Sequence, residues 1–127
     1  MSMKIIYTPE APAAIGPYSQ AYIAGDFLFT SGQVGFNPKD GSVAGTTVEE
    51  QAEQVMKNLK AILTAAGTDF STAVKSTCFL ADMDDFAAFN GVYEKYFTSK
   101  PARSCVAVKK LPKGMLCEVE VICYLGK

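Results

Sequence analysis

TTVEEQAEQVMKNLKAILTAAG (46–67), AVKSTCFLA (73–81) and DMDDFAAFNGVYEKYF (82–97) follow one another with a single short gap. The first segment has a helical period. Val48, Ala52, Val55, Leu59, Ile62, Leu63 and Ala66 recur on one face, and Gly67 suits the position just past a helix end. Thr47 with Glu50 fits a capping box, and Thr46 with Glu49 fits equally well. The second segment is rich in β-branched and aromatic residues and predicts a strand. In the third, Asp82 is placed to cap a second helix, with Asp84 and Asp85 in a first turn where the helix dipole favours negative charge. Phe86, Phe89, Tyr93, Tyr96 and Phe97 form its apolar stripe, and Pro101 excludes further helix.

Working outward, Lys4 to Thr8 is a β-like run closed by Pro9 and Pro12. Gly16-Pro17 marks a turn before a strand over Ser19–Ala24. Gly25-Asp26 is a hairpin signal, and Phe27 to Phe36 reads as the next strand. A polar loop follows from Asn37 to Gly45. After Pro101, Ala102 to Lys110 and Leu116 to Leu125 are the last two strands, joined at Leu111-Pro112-Lys113-Gly114. The order is βββαβαββ in one domain spanning 1–127. Helices separated by a single strand require crossovers, so an α+β fold is expected, with a mixed six-stranded sheet and both helices on one face. This chain cannot cover the opposite face, which is a reason to expect association.

Composition narrows the chemistry. The 127 residues carry 12 basic and 13 acidic side chains, a net charge of −1, and neither histidine nor tryptophan. Without histidine there is no Ser-His-Asp or Cys-His pair, no His-rich zinc site and no imidazole acting near pH 7. The hydrophobic fraction of 49% against 20% charged residues is rich for a small monomer and again favours buried surface between subunits. Cys78, Cys105, Cys117 and Cys123 show no CxxC spacing and read as reduced thiols in a cytosolic protein. The N-terminal residues lack the apolar core of a signal peptide, and no apolar run approaches the ~18 residues of a membrane helix. The acidic balance and the absence of a basic tract argue against nucleic-acid binding.

Several residues could carry chemistry. Alternation puts Arg103 and Cys105 on one face of their strand and Ser104 and Val106 on the other. An arginine that starts a strand just after Pro101 sits near a sheet end, where its planar fork can hold a carboxylate bidentately; an ordinary surface ion pair is the plain alternative. Cys105 lacks a histidine base, so it reads as a structural or pocket-lining thiol. Glu118 and Glu120 alternate with Val119 and Val121. Either one acts as a pocket base paired with arginine, or the strand lies at an edge with a solvated face. Gly32 inside a strand suggests a bulge or the close approach of a ligand. Lys109, Lys110 and Lys113 read as a solvated hairpin tip.

Taken together, GPYSQA (16–21), SGQ (31–33), PARSCV (101–106), LPKG (111–114) and CEVE (117–120) resemble the RidA family, also called the YjgF family. The resemblance covers essentially the whole chain in order. It implies a chorismate-mutase-like fold and a homotrimer with ligand clefts between neighbouring subunits. The implied reaction is hydrolysis of reactive 2-aminoacrylate-type enamines and imines to 2-keto acids and ammonia. By the same resemblance Arg103 clamps the substrate carboxylate, and Glu118 positions or activates the hydrolytic water. Tyr18, Ser31, Gly32, Asn90 and Cys105 match positions in or near the pocket, with Tyr18 contributed by the neighbour.

The implied ligands are small enamines, imines or keto acids, and no metal or organic cofactor is required. Arg103 close by is expected to lower the Glu118 pKa, leaving a carboxylate that accepts a proton from water. A noncatalytic binding module for small carboxylates, or a chaperone-like trimer, is the alternative. The ribonuclease and translation-inhibitor label carried by the family fits poorly with a net charge of −1 and no histidine.

Overall fold

The computed structural model describes residues 3–126. The six strands are β1 (Met3–Ile6), β2 (Ala21–Ala24), β3 (Phe27–Thr30), β4 (Ala73–Leu80), β5 (Ala102–Ala107) and β6 (Cys117–Tyr124). The helices are α1 (Val48–Ala65) and α2 (Phe86–Tyr96). The expected βββαβαββ order and mixed sheet are present, with strands lying β1-β2-β3-β6-β4-β5. Only β4 and β5 run parallel, which is the pair connected through α2. The last strand in sequence, β6, therefore lies in the interior, between β3 and β4.

Of the two candidate capping boxes, the chain uses the later one. Thr47 Oγ1 accepts from the Glu50 amide, and the Glu50 carboxylate accepts from the Thr47 amide. The apolar stripe of α1 then faces the sheet, with Val55, Met56, Leu59, Ile62 and Leu63 fully buried. On α2, Phe89, Val92 and Tyr93 join the same core. Glu53 ties the helices together, accepting from the Tyr96 hydroxyl at 2.6 Å and pairing with Lys95. The segment expected to open the second helix is instead a 3-10 turn over Met83–Asp85. Asp82 caps that turn, accepting from the Asp84 amide at 2.8 Å.

Two strands are shorter at the ends that matter for function. β2 begins at Ala21 rather than Ser19, because buried Gln20 is committed elsewhere. Its side-chain oxygen accepts from the Thr8 amide (2.7 Å), and its amide nitrogen donates to the Thr8 and Pro12 carbonyls (3.0 and 2.8 Å). β3 ends at Thr30 rather than Phe36. Beyond it the chain keeps isolated bridges, from Gln33 to Val119 and from Phe36 to Val43, as it turns over α1. There the fully buried Asn58 donates to the carbonyls of Val34 (3.2 Å) and Phe36 (3.0 Å), so a helix side chain replaces the missing strand ladder. Replacing Asn58 by Leu keeps the volume, strips the Phe36 carbonyl of its donor and leaves the Val34 carbonyl only the Phe36 amide. The expected cost is about 2–3 kcal/mol, seen as a Tm lower by roughly 6–12 °C in thermal denaturation. An unchanged Tm would mean that water substitutes for the amide.

Alternation along the central strands sets two unlike faces. Cys117, Val119, Val121 and Cys123 of β6 and Ser76, Cys78 and Leu80 of β4 point to the helices and are buried. The opposite face presents Ile5, Tyr22, Phe29 and Ile122 in one register row and Phe27 beside Tyr124 in the next. Phe29 is 43% exposed and Tyr124 39%. An antiparallel sheet with a solvated face usually carries polar residues there; from β1 through β3 to the end of β6 this one carries aromatic and aliphatic side chains. The β5 pairing ends at Ala107, short of the expected Lys110. Among the described residues, no helix is long and apolar enough to cross a membrane.

Candidate active site

Arg103 is the chain's only arginine, and three side chains of α2 hold it. Phe86, Asn90 and Tyr93 are spaced i, i+4, i+7 and so share one helix face. Arg103 Nη1 donates to Asn90 Oδ1 at 2.7 Å. The guanidinium carbon lies 4.7 Å from the Tyr93 ring centroid and 5.4 Å from that of Phe86, within cation–π range. Tyr93 is itself stacked on Phe97, with centroids 4.3 Å apart and planes inclined by 13°. Its hydroxyl shares a 2.6 Å hydrogen bond with the buried Ser76, the residue of β4 in register with Arg103. One Nη is thus spent on Asn90 and the remaining N–H groups stay available. A cleft of about 530 Å³ opens beside them, bounded by α2 and the Thr98–Pro101 connector.

Cys105, two residues along β5 from Arg103, lies in register with Cys78. Burial pushes the Cys105 thiol up, outweighing the opposing effect of Arg103, and pushes Cys78 up to about 12. Both are protonated thiols at neutral pH, consistent with a pocket-lining rather than nucleophilic Cys105.

Glu118 stands on the other side of the sheet. It pairs with Phe79, which pairs with the exposed Val106, whereas Arg103 and Ser76 share a face with the buried Val121. The expected pairing of Glu118 with arginine is therefore absent within one chain, and so is the expected lowering of its pKa. Burial raises the Glu118 carboxyl first, and the like charge of Glu120 raises it further. The edge-strand alternative fails as well, because β6 is interior.

Around Glu118 the sequence motifs converge. The backbones of Gln33 and Val119 exchange hydrogen bonds (2.9 and 3.1 Å), which lays Gly32 against Glu118. A Cβ on Gly32 would come within 2.8 Å of Glu118 Cδ, so glycine there leaves room for the carboxylate. Ser31 Oγ donates to the Ser19 carbonyl at 2.5 Å and its amide donates to the Gln20 carbonyl at 2.9 Å, so its hydroxyl serves as a brace. Tyr18, adjoining that brace, is 52% exposed.

The residues singled out from sequence thus fall into two groups. Asn90, Arg103 and Cys105 lie toward the helices, and Ser31, Gly32 and Glu118 lie by the open face, with Tyr18 on the adjoining loop. Sequence reading missed Phe86, Tyr93 and Ser76 as supports of Arg103. The i, i+4, i+7 spacing was visible, but the aromatic positions read as core.

The sequence matches the family described as Endoribonuclease L-PSP over residues 8–125. It is 48% identical over 124 residues to the mouse (Mus musculus) 2-iminobutanoate/2-iminopropanoate deaminase, covering 97% of this chain and 92% of the relative. It is 49% identical over 128 residues to a RutC family protein of Synechocystis, covering 98% of each. Among solved structures, Escherichia coli TdcF with bound serine superposes with a TM-score of 0.92 at 42% identity, covering 97% of this chain and 99% of that one.

Proposed function

The chain belongs to the endoribonuclease L-PSP (Rid) family, and from that premise we propose that it hydrolyses 2-imino acids and their 2-aminoacrylate-type enamine tautomers to 2-keto acids and ammonia. The observation that carries this reading is the restrained arginine. Asn90, Tyr93 and Phe86 hold a planar cation at a cleft with N–H groups to spare, the arrangement a bidentate carboxylate contact needs. The relative crystallised with serine supports it, since serine presents a carboxylate beside a nitrogen-bearing carbon, as the imine does.

In the proposed reaction Arg103 clamps the carboxylate and water adds to the C=N carbon. Glu118 takes a proton from that water and passes it to the imine nitrogen, giving a carbinolamine; it then carries the carbinol hydroxyl proton to the same nitrogen as the C=O forms, the C–N bond breaks and ammonia leaves. Within one chain burial and Glu120 raise the Glu118 carboxyl, which strengthens it as a base, and an arginine across the cleft keeps it ionised. The substrate is labile, so modest help suffices. A positioned carboxylate contributes about 10²–10⁴-fold, or roughly 3–6 kcal/mol of barrier. No metal or organic cofactor enters these steps.

Because Arg103 and Glu118 face opposite sides of the sheet, one chain does not assemble this site. A homotrimer does so if the Tyr18–Ser31–Gly32–Glu118 group of one copy meets the Arg103 cleft of the next. The apolar open face, with Phe29 and Tyr124 exposed, supports such packing. A cytoplasmic location follows the same reading, since dehydratases working on serine or threonine generate the substrate and the thiols are free.

The deciding experiment couples the protein to threonine dehydratase and follows 2-ketobutyrate. Keto-acid release should accelerate in proportion to added protein. An unchanged rate with the protein in excess would leave binding of small carboxylates as the better account, and calorimetry with pyruvate then tests it.

A further inference from the structure

Ser76 is fully buried on β4, and its hydroxyl meets the Tyr93 hydroxyl at 2.6 Å. The position is otherwise an apolar one. Its register neighbours are Val121 on β6 and Arg103 on β5, and the same face of β4 carries Cys78 and Leu80. Valine or alanine would satisfy the sheet there, so a hydroxyl at this depth is explained by what it bonds. Tyr93 needs such a partner because its ring is wedged between Phe97, stacked at 4.3 Å, and the Arg103 guanidinium at 4.7 Å. A phenol in that slot can slide or swing only if its hydroxyl end is free. The hydrogen bond to Ser76 removes that freedom from the far side of the ring.

We propose that Ser76 is a positioning residue for the carboxylate clamp: through Tyr93 it fixes the surface on which the Arg103 guanidinium rests, while Asn90 fixes one Nη. This rests on the reading of Arg103 as the carboxylate clamp. Two restraints, one polar at the edge of the fork and one aromatic beneath its plane, suffice to define the orientation of a planar cation. Along the same face of β4, Cys78 lies in register with Cys105, two residues from Arg103.

The chemistry of the pair makes a sharp test. Ser76→Ala orphans a buried phenol, whereas Tyr93→Phe orphans only a small hydroxyl and keeps the ring on Phe97. Removing both partners leaves nothing unpaired. Two readouts are taken for wild type, S76A, Y93F and S76A/Y93F. One is the dissociation constant for pyruvate by calorimetry. The other is the Arg103 Nε–H signal in a ¹⁵N correlation spectrum, unambiguous because the chain has one arginine. S76A should weaken pyruvate binding by roughly fivefold to tenfold and move the Arg103 signal. The double variant should return to within about twofold of Y93F, the non-additivity of a coupled pair.

If S76A lowers Tm but leaves both the pyruvate affinity and the Arg103 signal unchanged, the pair only supports the fold and the proposal falls. It falls equally if the two substitutions act independently. Should the wild-type protein bind no pyruvate, the clamp reading is the one that fails. The arginine signal then still decides whether Ser76 positions the guanidinium.

Discussion

Arg103→Ala is expected to lower kcat/KM for imine hydrolysis by about 10²–10³-fold, because two charge-assisted hydrogen bonds to the substrate carboxylate are lost at once. Arg103→Lys should recover only part of that loss. It keeps the charge but not the fork that Asn90 and the Tyr93 ring hold in place. With a single arginine in the chain, phenylglyoxal has one arginine target. Modification of that arginine should abolish turnover, and pyruvate or 2-ketobutyrate should protect. Full activity in either the alanine variant or the modified protein would remove the carboxylate clamp from the mechanism.

Glu118→Gln is expected to cut kcat by about 10²–10⁴-fold without lowering Tm. A carboxyl whose folded pKa is raised binds more protons in the native than in the unfolded state between its two pKa values. Stability therefore falls as pH rises through that window, and above it the ionised, half-buried carboxylate is a standing cost. A neutral amide removes the cost, so Tm at pH 7 should hold or rise slightly. A clear fall in Tm would mark Glu118 as structural.

The acid limb of the pH–rate profile reports the Glu118 carboxyl in the assembled cleft, where Glu120 raises it and Arg103 of the next copy lowers it. Glu120→Gln, which removes the like charge, should move that limb down. Gly32→Ala should act on the same group from outside. Its methyl occupies the space of the carboxylate, and the obstructed atoms are the movable end of a side chain. Activity should therefore drop about 10²-fold, as for a catalytic group displaced by an ångström, while the fold persists. Refolding the inactive Arg103→Ala and Glu118→Gln chains together should restore turnover, since mixed assemblies contain clefts with both residues intact. No recovery would mean that the two groups do not serve a site shared between copies.

The element order, the mixed sheet, the two helices on one face and the family were all legible in the order of the amino acids. These follow from short-range physics: the periods of α1 and β4, the Thr47–Glu50 box, and motifs a few residues long. The sequence also located Arg103, Glu118 and Gly32, because an arginine after Pro101, acids in an apolar strand and a glycine in a strand each break a local pattern.

What those residues face depends on the folded sheet. A strand's alternation says that Glu118 opposes Val119 but not which side the helices cover. It was the interior place of β6 and its registers with β3 and β4 that put Glu118 and Arg103 on opposite faces. The same placement reversed the expected sign of the Glu118 pKa shift, because burial and Glu120, not Arg103, form its surroundings. Strand ends shifted for the same kind of reason. Asn58 and Gln20 capture backbone groups from segments far away in sequence, and no local propensity reports a hydrogen-bond partner that distant. Phe86 and Tyr93 read as an apolar helix stripe until the parallel β4–β5 register, with Ser76 opposite Arg103, carried the arginine beneath α2.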